Sequence, residues 1–237
     1  MKNILIIAKK ELKTYFTNPI GYVFAILLLV VSIWIFFANF FINNQSSLSS
    51  LWEMVIFLFS LFIPAISMTS IADEKKYGTW ELLLTLPLSE TELVLGKFLG
   101  LLFYVVTVLL LYIPITITLL FIGKPDIGIL LGGFLSTIFL SASYIACGVF
   151  ASSLTSQSVV AFLISLVFLL LNNFFGQEFF LSRLPLFLKN IFSYLSLSWH
   201  ANQFSWGIVS LIDVVFFLSW TIIFLILTIL SLKSRNK

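Results

Sequence analysis

DEKKYGTWELLLTLPLSETELVLGK, residues 73–97, is the charge-dense segment between the first and last hydrophobic runs of the chain. It holds five of the ten acidic residues (Asp73, Glu74, Glu81, Glu90, Glu92) and three of the thirteen basic ones (Lys75, Lys76, Lys97). Long apolar runs flank it on both sides. Its reading as a polar hairpin between two membrane-spanning helices decides the fold class.

The surrounding composition supports that reading. Sixty per cent of the residues are apolar, 17% aromatic and 10% charged, with a mean hydropathy of +1.13. Soluble domains carry about 25% charged residues, so the chain reads as an all-α polytopic membrane protein with little soluble mass. At about 20 residues per span, the apolar runs divide into six spans near 20–42, 52–72, 94–122, 128–151, 159–175 and 208–232. The run after Lys2, Lys9, Lys10 and Lys13 is too long for a signal core and lacks a small-residue cleavage site, so it reads as a retained first span. Pro64 and Pro114 are expected to kink spans 2 and 3. Polar turns are expected at Asn43–Ser50, Gly123–Asp126 and Ser152–Ser158.

Residues 1–19 read as an amphipathic interfacial helix. Ile4, Leu5, Ala8, Leu12, Tyr15 and Phe16 share one face at helical spacing, Lys2, Lys9, Lys10 and Lys13 the other, and Ile6 and Ile7 fall off the pattern. Such a helix lies in the headgroup boundary, and Asn18-Pro19 turns the chain into the bilayer. A plain basic flank of the first span is the alternative. Residues 176–206 mix Gly176, Glu178, Arg183, Pro185, Lys189, His200 and Asn202 with aromatics, which suits short outer-face helices at the interface rather than a span. Ten of the thirteen Lys and Arg residues fall in segments on the side of both termini and the 73–97 hairpin. The bias of cationic residues makes that side cytoplasmic.

Several chemistries are missing from the sequence. Glu53 and Asp213 fall at span ends, and no charged residue sits at an expected midplane, where ion-coupled carriers place their relays. The single histidine, His200, leaves no HExxH zinc site, and no GxSxG elbow occurs. No catalytic, cofactor-binding or metal-ligating residue is assigned. His200 beside Trp199 reads as an interfacial polar residue, Asn172-Asn173 as packing, and the lone cysteine Cys147 as a small packing residue. Gly123-Lys124-Pro125 is not a phosphate loop, so ATP, if used, binds elsewhere. The lysines flank hydrophobic runs and suggest no nucleic-acid binding. Gly96/Gly100, Gly128/Gly132 and Ser143/Cys147/Ala151 allow close helix approach and read as intramolecular packing.

Locally, the hairpin resolves into two helix starts. Thr79 is expected to cap a short helix, Trp80 to Leu86, with Glu81 in its first turn, an apolar face of Leu82, Leu83 and Leu86, and Pro87 as its stop. Ser89 and Glu92 fit a capping box opening span 3, and Lys97 is expected to snorkel to the interface.

The pattern Glu74, Gly78-Thr79, Glu81-Leu82-Leu83-Leu84-Thr85-Leu86-Pro87-Leu88-Ser89, then Glu92 and Val94-Leu95-Gly96-Lys97, resembles the membrane subunit of type-2 ABC transporters. Lys9-Lys10-Glu11-Leu12, Tyr15-Phe16 and Pro19 are similar to that family's N-terminal elbow, and the small gliding-motility-associated permeases look most alike. The resemblance runs over residues 1–237 as one permease domain. It implies a permease that dimerises with a second copy or paralogue and docks a cytoplasmic ATP-binding subunit, which carries the ATP and magnesium. It also implies a coupling helix at Gly78–Leu86, with Glu74, Trp80 and Pro87 in the docking element, and export across a bacterial inner membrane, in contact with its lipid. A membrane scaffold that never transports and a stand-alone facilitator are the rival classes.

Overall fold

The computed structural model describes residues 2–43, 48–123, 126–205, 207 and 210–235. Among these, every regular element is a helix: α1 (Lys2–Thr17), α2 (Pro19–Asn43), α3 (Leu48–Ser67), α4 (Thr69–Lys76), α5 (Thr79–Thr85), α6 (Glu90–Leu110), α7 (Ile113–Gly123), α8 (Ile127–Leu154), α9 (Ser158–Phe175), α10 (Glu178–Leu181), α11 (Leu186–Leu195), α12 (Leu197–Ser205) and α13 (Leu211–Arg235). Six stretches are long and apolar enough to cross a membrane: Pro19–Ala38, Ser49–Lys76, Glu90–Thr118, Ile127–Leu154, Ser158–Phe175 and Leu211–Ser234. The expected turns Asn43–Ser50 and Gly123–Asp126 lie partly outside the described residues.

The second span does not end where the charges begin. After a break at Met68, α4 carries the helix on to Lys76, so Asp73 to Lys76 are its last turn and not a loop. Pro64 sits inside α3, one turn before that break. Leu111 and Tyr112 interrupt the third span just ahead of Pro114, whose missing N–H leaves the carbonyl four residues back without its helical donor.

Helix α8 is the axis of the bundle, with α3, α6, α9, α12 and α13 packed around it. Lipid tails are as apolar as leucine, so helix association relies on close packing and buried hydrogen bonds. Small residues on α8 supply the closeness. A Cβ on Gly133 would lie 2.2 Å from the Trp52 indole, and one on Gly132 would lie 2.3 Å from the Phe204 carbonyl oxygen. On the α13 side, Ser143 Oγ lies 3.3 Å from the Phe217 carbonyl oxygen and 3.2 Å from Thr221 Oγ1. Trp220 Nε1 donates to the buried Cys147 Sγ at 3.3 Å. Gly132, Ser143 and Cys147 therefore serve packing within the chain. Outward faces of α2, α9 and α13 expose large apolar residues such as Val23, Trp34, Val167 and Ile222, as a lipid-facing or subunit-facing surface requires.

Candidate functional site

The hairpin of residues 73–97 is held by a cluster at the N-terminal end of the bundle. Its base is the seat of α1 on α6. A Cβ on Gly96 would come within 2.6 Å of Ile7 Cβ, and one on Gly100 within 2.6 Å of Glu11 Cβ. The two glycines let α1 lie directly against α6. Ile7, off the expected amphipathic pattern, is therefore packed, while Leu5 and Ile6 are exposed. The interface to α6, rather than the headgroup boundary alone, sets which face of α1 is covered.

Lys97 stands beside these glycines and does not snorkel. It is 2% exposed, and its Nζ donates to Glu11 Oε1 of α1 at 3.0 Å and to Glu74 Oε1 of α4 at 2.6 Å. A buried ammonium is tolerated only when paired and hydrogen-bonded, and here two helices bring carboxylates to it. The snorkelling expectation fails because α1 covers the position from which the side chain would have reached water. One ion cluster thus joins α1, α4 and α6.

Helix α4 is tied on its other sides as well. Ser152 Oγ of α8 accepts from the Ile71 and Ala72 amides at 3.0 and 2.9 Å and donates to the Met68 carbonyl at 2.8 Å. It satisfies the backbone groups that the break at Met68 releases. Lys75 Nζ donates to the Ser153 carbonyl, and Ser158 Oγ of α9 donates to Asp73. Three helices, α6, α8 and α9, therefore hold α4 by direct polar contacts.

From this anchored helix the chain turns at Gly78, whose φ of 70° is left-handed. Nothing lies within 4 Å of a Cβ built there, so backbone conformation alone favours glycine. Gly78, and not Thr79, is the N-cap of α5, and Thr79 Oγ1 donates instead to the Glu74 carbonyl at 3.2 Å. Leu86 closes the helix in extended backbone ahead of Pro87. The hydrophobic residues of α5 divide into two sets. Trp80 is 5% exposed within the core, with Leu83 and Leu84 packed partly against it, whereas Glu81, Leu82 and Leu86 face outward beside Tyr77. Trp80 is thus an anchor that offers almost no surface to a partner. The buried face follows the 80, 83, 84 spacing of one helix face, rotated from the expected 82, 83, 86.

Helix α6 then starts on a capping box. The Glu92 amide donates to Ser89 Oγ at 3.2 Å, and the Ser89 amide donates to Glu92 Oε2 at 3.1 Å. Asn3 Nδ2 of α1 also donates to Glu92 Oε1 at 3.1 Å, a second clasp between α1 and the hairpin that sequence reasoning missed.

A family model described as ABC-2 family transporter protein matches residues 5–236. The chain belongs to the ABC-2 transporter family. Membership with six span-capable helices makes it an integral, multi-pass membrane protein of the permease type, and it implies an ATP-binding partner subunit. No curated protein matches the chain.

At the other end of this ABC-2 family protein, His200 is buried among helices. It is 1% exposed, with Nδ1 2.5 Å from Asp213 Oδ1 and Nε2 2.9 Å from the Tyr194 carbonyl oxygen. Its ring stacks on Phe216 at a centroid distance of 4.2 Å. Asn172 donates to the Leu195 carbonyl at 3.2 Å and accepts from the Leu197 amide at 2.9 Å. These buried contacts pin α11 and α12 onto α9 and α13. Among the described residues no group of three His, Cys, Asp or Glu side chains could hold a metal ion.

Proposed function

We propose that the chain is the membrane-spanning permease subunit of an ATP-binding cassette transporter, with α5 as its docking helix for a separate cytoplasmic ATP-binding subunit. The observation that carries the reading is the division of α5. Trp80 is rooted in the bundle while Tyr77, Glu81, Leu82 and Leu86 stand exposed at the tip of a hairpin fixed through Lys97, Glu11 and Glu74. Exposed apolar side chains rimmed by a carboxylate, at the end of a membrane bundle, suit a soluble partner. The cationic bias puts this end, with both termini, in the cytoplasm. ATP and magnesium belong to the partner, and closure of two such partners moves α5 and, through α4 and α6, the path between this permease and a second copy or paralogue. Export is the family's direction. The hairpin motif resembles that of the small gliding-motility-associated permeases of the bacterial inner membrane.

The test is a pair of charge substitutions on the exposed face. Leu82→Glu with Leu86→Glu is expected to abolish co-purification of the ATP-binding subunit and its stimulated hydrolysis, while membrane insertion and thermal stability stay at wild-type values. Undiminished co-purification and hydrolysis in that variant would overturn the docking assignment.

A further inference from the structure

The first and third spans meet through tyrosine hydroxyls rather than through close backbones. Helix α2 packs closely on α1 and α3, and among the described residues it makes no comparable approach to α6 or α7. Two tyrosines bridge the seam instead. Tyr104 Oη donates to the Gly21 carbonyl at 2.6 Å, and Tyr112 Oη lies 2.7 Å from Ser32 Oγ. Ser32 Oγ donates in turn to the Leu28 carbonyl at 2.7 Å, so it accepts from Tyr112. Tyr104, Tyr112 and Ser32 are no more than 1% exposed. A hydroxyl inside the bilayer has no water to turn to, so each bond holds the seam closed.

The two bonds sit in different surroundings. Tyr104 belongs to α6, whose Gly96 and Gly100 seat α1, and the rings of Tyr15 and Phe16 on α1 lie 5.3 and 5.4 Å from its own. Tyr112 lies in the break between α6 and α7. The Leu111 and Tyr112 amides bond back only three residues, to the Val108 and Leu109 carbonyls at 3.1 and 3.0 Å. The Ile115 and Thr116 amides both bond to the Tyr112 carbonyl, at 3.1 and 3.0 Å, and Pro114 offers no N–H to the Leu110 carbonyl. Beyond the break, α7 packs closely on none of the other described helices. Tyr112 and Thr116, one turn apart and so on one face, are nonetheless buried, while Leu111, Ile113 and Ile117 are exposed. The half of the third span nearest the hairpin is clamped by α1. Its far half hangs from a backbone break, with one hydroxyl chain tying that break to the first span.

We propose that α7 is a gate. The outer half of the third span swings about Leu111–Tyr112 and opens the bundle sideways between the first and third spans, and the chain from Tyr112 through Ser32 to the Leu28 carbonyl is its latch. Opening admits water to the Tyr112 hydroxyl, because a polar group released into lipid without a partner is costly. The swing needs no ATP-binding subunit, so the docking assignment and this one can fail separately.

The test places a probe on the buried face as Thr116→Cys in the full-length protein, purified in detergent. Its rate of modification by a water-soluble methanethiosulfonate reagent is read by mass spectrometry. The native Cys147, 2% exposed on α8, serves as the control for general loosening. Adding Tyr112→Phe, which removes the latch hydroxyl, is expected to raise the rate at position 116 about threefold, as loss of one hydrogen bond within a membrane bundle does. Tyr104→Phe, the same change in the clamped half, is expected to leave that rate unchanged. Pro114→Ala, which restores a backbone donor across the break, is expected to slow it about tenfold. Cys147 is expected to stay unmodified in every variant. A position-116 thiol that never reacts, equal effects of Tyr112→Phe and Tyr104→Phe, a rate unmoved by Pro114→Ala, or a parallel rise at Cys147 would overturn the gate.

Discussion

Replacing Lys97 by methionine is the sharpest test of the cluster that joins α1, α4 and α6. Methionine keeps an unbranched apolar stem of similar length and removes the charge. The two contacts it breaks are 3.0 and 2.6 Å long. At an effective dielectric of about 20, each contact at that range is worth about 6 kcal/mol of Coulomb attraction. Much of this is offset by the desolvation of a lysine that is 2% exposed. What the substitution leaves behind matters more than what it takes away. Glu11 and Glu74 would face each other without the ammonium they share, and removing one partner of a buried pair destabilises by about 3–5 kcal/mol. At roughly 2–4 °C per kcal/mol for a chain of this size, Lys97→Met should lower the unfolding midpoint of the detergent-purified protein by roughly 6–20 °C. The triple variant Glu11→Gln, Lys97→Met, Glu74→Gln removes the stranded charges together and should recover more than half of the loss. The measurement is a thermal unfolding scan of the three proteins side by side. A midpoint for Lys97→Met within about 2 °C of wild type, or a triple variant no more stable than the single one, would refute the view that this ion cluster is a buried, mutually dependent unit.

Trp80→Ala should destabilise the protein by about 3–5 kcal/mol, as loss of a buried aromatic does, whereas Glu81→Ala on the exposed side of α5 should stay within about 0.5 kcal/mol. Equal stabilities in the same scan would mean that α5 is not rooted through its indole. On the opposite side of the bundle, His200→Ala strands the Asp213 carboxylate and should cost about 3–5 kcal/mol, with His200→Ala/Asp213→Ala regaining part of it. Limited proteolysis within residues 176–205 reads the loosening of α11 and α12, and an unaltered cleavage rate in His200→Ala would count against the pair as their clamp.

The spans were legible because hydropathy is a local property, and so was the Ser89/Glu92 box, whose two partners lie three residues apart. Lys97 was not. A lysine next to an apolar run ordinarily reaches for the interface, and its carboxylates lie 23 and 86 residues away. Signals pointing inward were nonetheless present. Lys97 is flanked by Gly96 and Gly100, where another backbone can lie close, and Glu11 is the sole acidic residue among the first fifty. Together they indicate a helix carrying a counter-ion onto the lysine. The orientation of α5 was lost for a similar reason. Three leucines outweighed one tryptophan in the reading of its apolar face, yet packing against the bundle buried the larger indole. His200 and Asp213 sit thirteen residues apart, with part of the intervening chain irregular, so no periodicity links them.

The two ends of α5 are weak mechanical links. Gly78 in left-handed backbone and Pro87 after an extended Leu86 bracket seven helical residues with chain that transmits little force by itself. On the docking reading, a push on Leu82 and Leu86 reaches the bundle chiefly through the Trp80 side chain and through the Thr79 hydroxyl bonded to the Glu74 carbonyl. The second route leads to the Lys97 cluster, since Glu74 carries the carboxylate on Lys97 as well as the carbonyl that holds Thr79. The load is then shared between α6, which continues into the third span, and α1, which leads into the first. Helix α4 cannot yield alone, because Ser152, Ser153 and Ser158 fix its remaining sides to α8 and α9. A push at α5 therefore displaces the second and third spans as a unit, or else it breaks a buried ion pair.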